Sequence, residues 1–364
     1  MSPIGTPAPI RVLVVDDSAF MRQSVRRVLD AEPDIEVVDI ARDGLEGLLK
    51  LEQLRPDVVT MDVEMPRLDG LATLKLLMER LPSPVVMFSS LTAAGTEATV
   101  KALSLGAVDF MRKPTAAGHA GISEIAAELV EKVRHAARTR VRTAAAARSA
   151  PPPVRSVGPS PVSGERPNKL LVVGSSTGGP RALAELVADL PGQLGAAALL
   201  VQHLPAGFTR SLAERLDQAS SLGIAEACNG ESLMSNRVLL APGDFHLELT
   251  LQRVTLNQGP KRHGVRPSVD VTLESAAAIF GPATLAVILT GMGEDGRDGC
   301  RAVKAAGGTV LAEAESTCVV YGMPRAVVEA GLADEIVPLD KMAAAITRHL
   351  ARLNERTARR PVHA

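Results

Sequence analysis

Apolar and polar positions along the chain fall into two alternating series, with a stretch between them that carries neither pattern. In the first, from residue 10, short apolar runs such as "IRVLVV", "DVVTMD" and "PVVMFSS" alternate with segments such as "AFMRQSVRRVLD" and "LATLKLLMERL". A strand covered on both faces reads as an unbroken Val/Ile/Leu run, whereas a surface helix repeats its apolar residues at three- and four-residue spacing. The series therefore predicts parallel strands alternating with helices. It ends near "GAVDFMRKP", with one more helix expected over residues 124–138.

From Lys169 the alternation resumes: "KLLVVG", "RALAELVADL", "AAALLVQH", "FTRSLAERLD", "ATLAVILTG", "CRAVKAAG", "GTVLAE" and a closing "DKMAAAITRHLARL". The reading is two doubly wound α/β domains with mostly parallel sheets, over residues 9–125 and 168–351. A helix end and linker are expected over 126–167 and a disordered tail over 352–364. The linker, with "RTRVRTAAAARSAPPPVRSVGPSPVSGERPN" at its heart, is rich in Ala, Arg, Pro and Ser and nearly free of large apolar residues. Such a segment buries too little surface to offset its ordering entropy, so a flexible tether is expected.

The 364 residues suffice for two domains, each with its own core. A formal net charge of -1 gives no overall attraction to nucleic acid or an anionic membrane, and with no Trp, one Tyr and six Phe, base-stacking platforms are not expected. Cys228, Cys300 and Cys318 show no C-x-x-C spacing, and "MSPIGTPAPIRVLVV" lacks the basic start and cleavage site of a secretion signal. A reducing, cytoplasmic setting is the expectation. No apolar run approaches the roughly 18 residues of a membrane span.

In open α/β sheets ligands collect outside the carboxyl ends of the strands. In the first domain those ends carry Asp16 and Asp17, then Asp62, Ser89 and Lys113. Converging carboxylates repel one another unless a hard cation such as Mg²⁺ lies between them, and a lysine and a hydroxyl beside them would face an arriving anion. Singly, each residue has an ordinary use: Asp17, for example, would suit the cap of a helix beginning near Ser18. Their succession on one strand end after another favours a site.

In the second domain "LLVVGSSTGG" sets Gly174, Ser176 and Gly178 in a G-x-S-x-G pattern between a predicted strand and a predicted helix, the context of a nucleophile elbow. The lysine of a phosphate loop and the spacing of a dinucleotide loop are both missing. Of the seven histidines, His203 follows the strand "AAALLVQ" and so shares the sheet edge with Ser176; His246 and His263 fall in loop-like stretches. Asp295, in the glycine-rich turn "GMGEDGRDG" with Glu294 and Asp298 beside it, supplies a carboxylate. Nucleophile, base and orienting carboxylate would then lie on three strand ends in the order Ser, His, Asp, unlike the Ser, Asp, His order of α/β-hydrolases. The competing use of the turn is an anion-binding loop without catalysis.

The first domain resembles the receiver domain of bacterial two-component response regulators over nearly its whole length. The resemblance implies a flavodoxin-like fold, Asp62 as phosphoacceptor, Asp16, Asp17 and Asp62 as Mg²⁺ ligands, and Ser89, Phe110 and Lys113 as switch residues. The stretches "GSSTGGPRAL", "VQHLPAGFTRSLAERLD", "APGDFHLEL", "RPSVDVTLESAA", "VILTGMGEDG" and "CVVYGMPRAV" together resemble the catalytic domain of the chemotaxis protein-glutamate methylesterases. That implies a Rossmann-like domain with Ser176, His203 and Asp295 as triad, Thr177 and Met292 lining the site, and no cofactor there. It implies a phosphorylation-regulated esterase and glutaminase acting on methyl-accepting chemoreceptors, with the pathway's histidine kinase as phosphodonor. A single chain meets these requirements, with no nucleic-acid partner and no membrane insertion. A DNA-binding output is the other class open to a receiver, and the strand–helix alternation after residue 169 disfavours it.

Overall fold

The computed structural model describes residues 8–90, 92–113, 119–139 and 165–358. The chain divides into two compact units, Met1–Pro153 and Val154–Ala364. Of the expected linker, residues 140–164 lie outside the described residues, as do residues 359–364 of the expected tail.

The first unit runs β1 (Ile10–Val15), α1 (Ala19–Asp30), β2 (Ile35–Ala41), α2 (Gly44–Leu54), β3 (Val58–Asp62), α3 (Gly70–Arg80), β4 (Val85–Ser89), α4 (Ala93–Leu105), β5 (Asp109–Arg112) and α5 (His119–Arg138). The five strands form a parallel sheet in the order β2-β1-β3-β4-β5. Every residue of β3 and β4 is buried, as their unbroken apolar runs require. Helices α1 to α4 begin at Ser18, Asp43, Asp69 and Thr92, whose side chains accept a hydrogen bond from the first turn. Ser18 rather than Asp17 caps α1, which leaves Asp17 available at the sheet edge. Helix α5 starts five residues before the expected 124, at His119.

The second unit runs β6 (Leu170–Ser175), α6 (Gly179–Asp189), β7 (Ala197–Gln202), α7 (Phe208–Ala219), β8 (Gly223–Glu226), β9 (Arg237–Leu240), β10 (His246–Thr250), β11 (Arg253–Asn257), α8 (Val269–Phe280), β12 (Thr284–Ile288), α9 (Arg297–Ala305), β13 (Thr309–Glu313), α10 (Met323–Glu329), β14 (Glu335–Val337) and α11 (Leu339–Ala358). Its seven-stranded sheet, in the order β14-β13-β12-β6-β7-β9-β8, is parallel throughout. Helices pack the interior through side chains such as Leu183 and Phe208, both fully buried. Each such burial is worth about 1.5–3 kcal/mol.

Three features of this unit depart from the sequence reading. Helix α11 continues to Ala358 instead of ending at 351, because Leu350 and Leu353 extend its buried stripe. His246 opens strand β10 and is buried, so it is not a loop residue. Strands β10 and β11 form a separate antiparallel hairpin that turns at Leu251 and Gln252, both with left-handed φ (50° and 63°). That turn geometry ordinarily calls for Asn-Gly, so the sequence carries no sign of it.

Candidate active site and phosphoacceptor pocket

In the second unit the chain crosses from β6 to one side of the sheet (β7) and later fills the other side (β12), which leaves a crevice between neighbouring connections. Ser176 follows β6, His203 follows β7, and Asp295 lies on the segment between β12 and α9. From Lys169 to Pro180 every residue is buried except Ser176, which alone reaches solvent. The loops bearing these residues enter helices α6, α7 and α9 through glycines with left-handed φ: Gly178 (78°), Gly207 (91°) and Gly296 (97°). A side chain at Gly178 would also collide with Val319, its Cβ falling 2.5 Å from that residue's Cβ. The sharp turn needs glycine, whose missing side chain leaves none of these helix starts capped by its own N-cap residue.

The main chain fixes the turn at Ser176. Ser176 N–H donates to Thr290 O (3.0 Å), Gly179 N–H donates to Ser176 O (2.8 Å), and the Thr290 hydroxyl donates to Thr177 O (3.0 Å). Thr290 is held in turn by the buried Glu313, whose Oε2 accepts its N–H at 2.8 Å. Burial pushes the Glu313 carboxyl up to about 7. His203 N–H donates to Ser175 O (3.1 Å), and the amide of Gln202 joins the two turns by donating to Ser176 O (2.9 Å) and His203 O (3.2 Å). The Gln202 carbonyl accepts from the Ser175 hydroxyl (2.7 Å), so all its polar atoms are used inside a buried strand end.

His203 Nε2 lies 2.7 Å from Asp295 Oδ2. Asp295 also accepts the N–H groups of Val269 (2.7 Å) and Asp270 (3.1 Å) and the hydroxyl of Ser268 (2.7 Å). Burial alone would raise its pKa, but the bond and charge of His203, with the Val269 and Ser268 donors, hold it below the usual carboxylate range. An ionised Asp295 only accepts, so Nε2 carries the imidazole proton and Nδ1 is the basic nitrogen. Thr177 is buried and Met292 half-buried, each on a loop that borders Ser176.

In the first unit, carboxylate oxygens of Asp16, Asp17 and Asp62 lie within 4.8 Å of one another at the ends of β1 and β3. Lys113 Nζ sits 2.6 Å from Asp62 Oδ2 and 3.4 Å from Asp16 Oδ2. Burial raises Asp16, and it raises Asp62 to about 6 despite the lysine, with the Asp16 charge adding to the effect. Burial alone would lower Lys113, yet its bond to Asp62 and the Asp16 charge outweigh this and raise it. Three carboxylates against one ammonium leave an all-oxygen donor set short of positive charge, which suits a hard divalent cation. Ser89 is buried at the end of β4; its hydroxyl is shared between Ser90 O and Gly95 O (both 3.1 Å) and accepts from Thr99 (2.5 Å), so it is engaged with α4 and not with Asp62. Phe110 is buried in β5, with Lys132 Nζ 5.3 Å from its ring centre.

Residue-level reading of the sequence missed Gln202, Ser268, Asp270 and Glu313. Gln202 and Glu313 left one trace, a polar residue closing a fully buried strand. His263 lies in a turn, as expected, and from there bonds Asp270 at 2.9 Å.

An acidic pocket with a lysine at the sheet edge of one unit, and a serine, histidine and aspartate at neighbouring strand ends of an α/β unit after it, fit a response regulator with an enzymatic output. The comparisons specify which. A response regulator receiver domain profile matches residues 12–120, and a CheB methylesterase profile matches residues 171–346. The chain is 50% identical over 350 residues to the protein-glutamate methylesterase/protein-glutamine glutaminase of Symbiobacterium thermophilum, covering 93% of this chain and 97% of the relative. It is 48% identical over 342 residues to the protein of the same description from Thermotoga maritima, again covering 93% and 97%. The crystal structure of the Thermotoga maritima CheB methylesterase catalytic domain matches at 48% identity and a TM-score of 0.48, over 50% of this chain and 97% of that one. The chain belongs to the CheB protein-glutamate methylesterase/protein-glutamine glutaminase family.

Proposed function

We propose that this chain is a phosphorylation-regulated serine esterase that hydrolyses glutamate γ-methyl esters on chemoreceptors and deamidates selected glutamines there. The observation that carries the mechanism is the bond from His203 Nε2 to a buried, ionised Asp295 at the sheet edge where Ser176 also reaches solvent. His203 Nδ1 takes the proton of Ser176 Oγ as that oxygen attacks the ester carbonyl; His203 then returns the proton to the departing methoxide, which leaves as methanol. Water, deprotonated by His203, breaks the glutamyl-serine ester and frees the carboxylate. The family resemblance assigns the oxyanion to backbone N–H groups near Thr177 and Met292. A primary amide follows the same route with ammonia as leaving group.

In the receiver, an Asp62 oxygen attacks the phosphorus of a histidine kinase's phosphohistidine and the N–P bond breaks. Mg²⁺ held by Asp16, Asp17 and Asp62 would neutralise the phosphoryl oxygens. Lys113 pairs with the product charge, and Ser89 and Phe110 carry the switch that follows. The receptor substrate places the reaction in the cytoplasm. Among the described residues no helix is long and apolar enough to cross a membrane.

The test is methanol release from methylated receptor cytoplasmic fragments, with Mg²⁺ and with or without acetyl phosphate. A rate that rises with phosphodonor is expected for the wild type, and Asp62→Asn is expected to abolish the rise. Stimulation that survives in Asp62→Asn would overturn the assignment of the phosphoacceptor.

A second expectation concerns pH. The Asp62 value of about 6 lies above its ordinary 3.8, so its contribution to stability is full at low pH and is lost as pH rises through about 6. Without divalent cations the receiver transition should therefore melt lower at pH 7.5 than at pH 5, by several degrees for each ~1 kcal/mol lost. Mg²⁺ should raise the transition at pH 7.5 and barely move it at pH 5. Calorimetry of the full chain decides this; an equal Mg²⁺ response at both pH values would count against Asp62 as a ligand.

A further inference from the structure

Asp270 is a fully buried carboxylate that the hydrolysis scheme leaves unused. It is the second residue of α8, yet its Oδ1 accepts the N–H groups of Gly296 (2.9 Å) and Gly299 (2.6 Å), at the start of α9. Asp295, the residue before Gly296, does the converse by accepting the N–H groups of Val269 and Asp270 at the start of α8 (2.7 and 3.1 Å). Neither helix has a side-chain cap bond from its own N-cap residue, Ser268 or Gly296. Each is instead closed by a carboxylate from the other segment, and both carboxylates sit at the positive end of a helix dipole.

The approach of the two segments is close. A Cβ added to Gly299 would fall 2.6 Å from Leu273 Cβ and 2.9 Å from Asp270 Cα. Asp270 Oδ2 also faces His263 Nε2 (2.9 Å) and Arg262 Nε (3.6 Å), and the arginine offsets the charge that Asp270 places near Asp295.

We infer that Asp270 is a positioning residue for the esterase reaction: by closing the start of α9 it fixes the Asp295 carboxylate against His203. The inference rests on the triad reading above. Without the Asp270 oxygens, two buried N–H groups lose their acceptor and the turn at Gly296 relaxes, so Asp295 no longer holds the His203 ring in one orientation. Asp270 is shut off from solvent and touches no substrate, so the loss falls on kcat and leaves KM alone.

The test uses the full chain with Asp270→Ala and Asp270→Asn, assayed for kcat and KM on methylated receptor fragments, with thermal melts alongside. Asp270→Ala is expected to lower kcat by about 100-fold at unchanged KM. Asp270→Asn keeps one oxygen for the two glycine N–H groups but turns an NH₂ toward the Arg262 side. It is expected to recover most of the loss and to stay about 3- to 10-fold below wild type. Should Asp270→Ala fail to fold, Asp270→Asn alone decides: wild-type kcat overturns the inference, and so does a change confined to KM. Asp295→Asn in the same assays separates the two readings. Wild-type activity in Asp295→Asn would fault the triad itself, whereas its loss beside fully active Asp270 variants would fault only the role of Asp270.

Discussion

Ser176→Ala is expected to lose methanol release by at least about 10⁴-fold while keeping wild-type melting and circular dichroism. The turn at Ser176 is built from main-chain atoms: Ser176 N–H on Thr290 O, and Ser176 O receiving Gly179 N–H and the Gln202 amide. Alanine preserves all three bonds and removes only Oγ, the one side-chain atom the chemistry needs. Residual turnover would come from water attacking an ester bound to the oxyanion donors. Initial rates with acetyl phosphate and Mg²⁺, set beside a melting curve, check the expectation. A variant that folds and still hydrolyses at the wild-type rate would return the glycine-rich turn to the role of an anion-binding loop.

The second large effect is expected at Asp295→Asn, at about 10³- to 10⁴-fold in kcat, or roughly 4–5.5 kcal/mol of transition-state stabilisation. Each oxygen of Asp295 accepts a backbone N–H: Oδ1 that of Asp270, and Oδ2 that of Val269, together with His203. Whichever way an asparagine amide turns, its NH₂ meets a backbone donor. If the NH₂ also faces His203, Nε2 must accept and the proton moves to Nδ1, so the nitrogen assigned to the serine can no longer take its proton. The measurement is kcat in Asp295→Asn with KM followed in parallel. A loss in KM alone would mean that Asp295 shapes the substrate surface and does not orient the base.

Which parts of this architecture the sequence disclosed follows from how local each signal is. Buried parallel strands announce themselves as apolar runs, and the polar residue closing or following each run stands at a carboxyl edge, so the sheet-edge placement of Asp62, Ser176 and His203 could be read without a structure. Asp295 was legible because glycines on both sides of "GEDG" mark a turn after a strand. The hairpin of β10 and β11 was not, because its left-handed turn is made by Leu251 and Gln252 and is enforced by tertiary packing. The end of α11 was misplaced for a related reason: the basic tail looks frayed, while burial of Leu353 against the domain carries the helix on. Gln202 and Asp270 could not be ranked at all. Their value lies in bonds to Ser176, 26 residues away, and to Gly299, 29 residues away. No spacing rule relates positions brought together only by the sheet and by the meeting of α8 with α9.

The proposed covalent intermediate on Ser176 is trapped by stopping turnover in acid within the first catalytic cycles and mapping the peptides by mass. The peptide containing Ser176 should gain the mass of the receptor segment's glutamyl ester less methanol, and Ser176→Ala should show no such gain. Methanol release that proceeds in both proteins with Ser176 never modified would contradict the account.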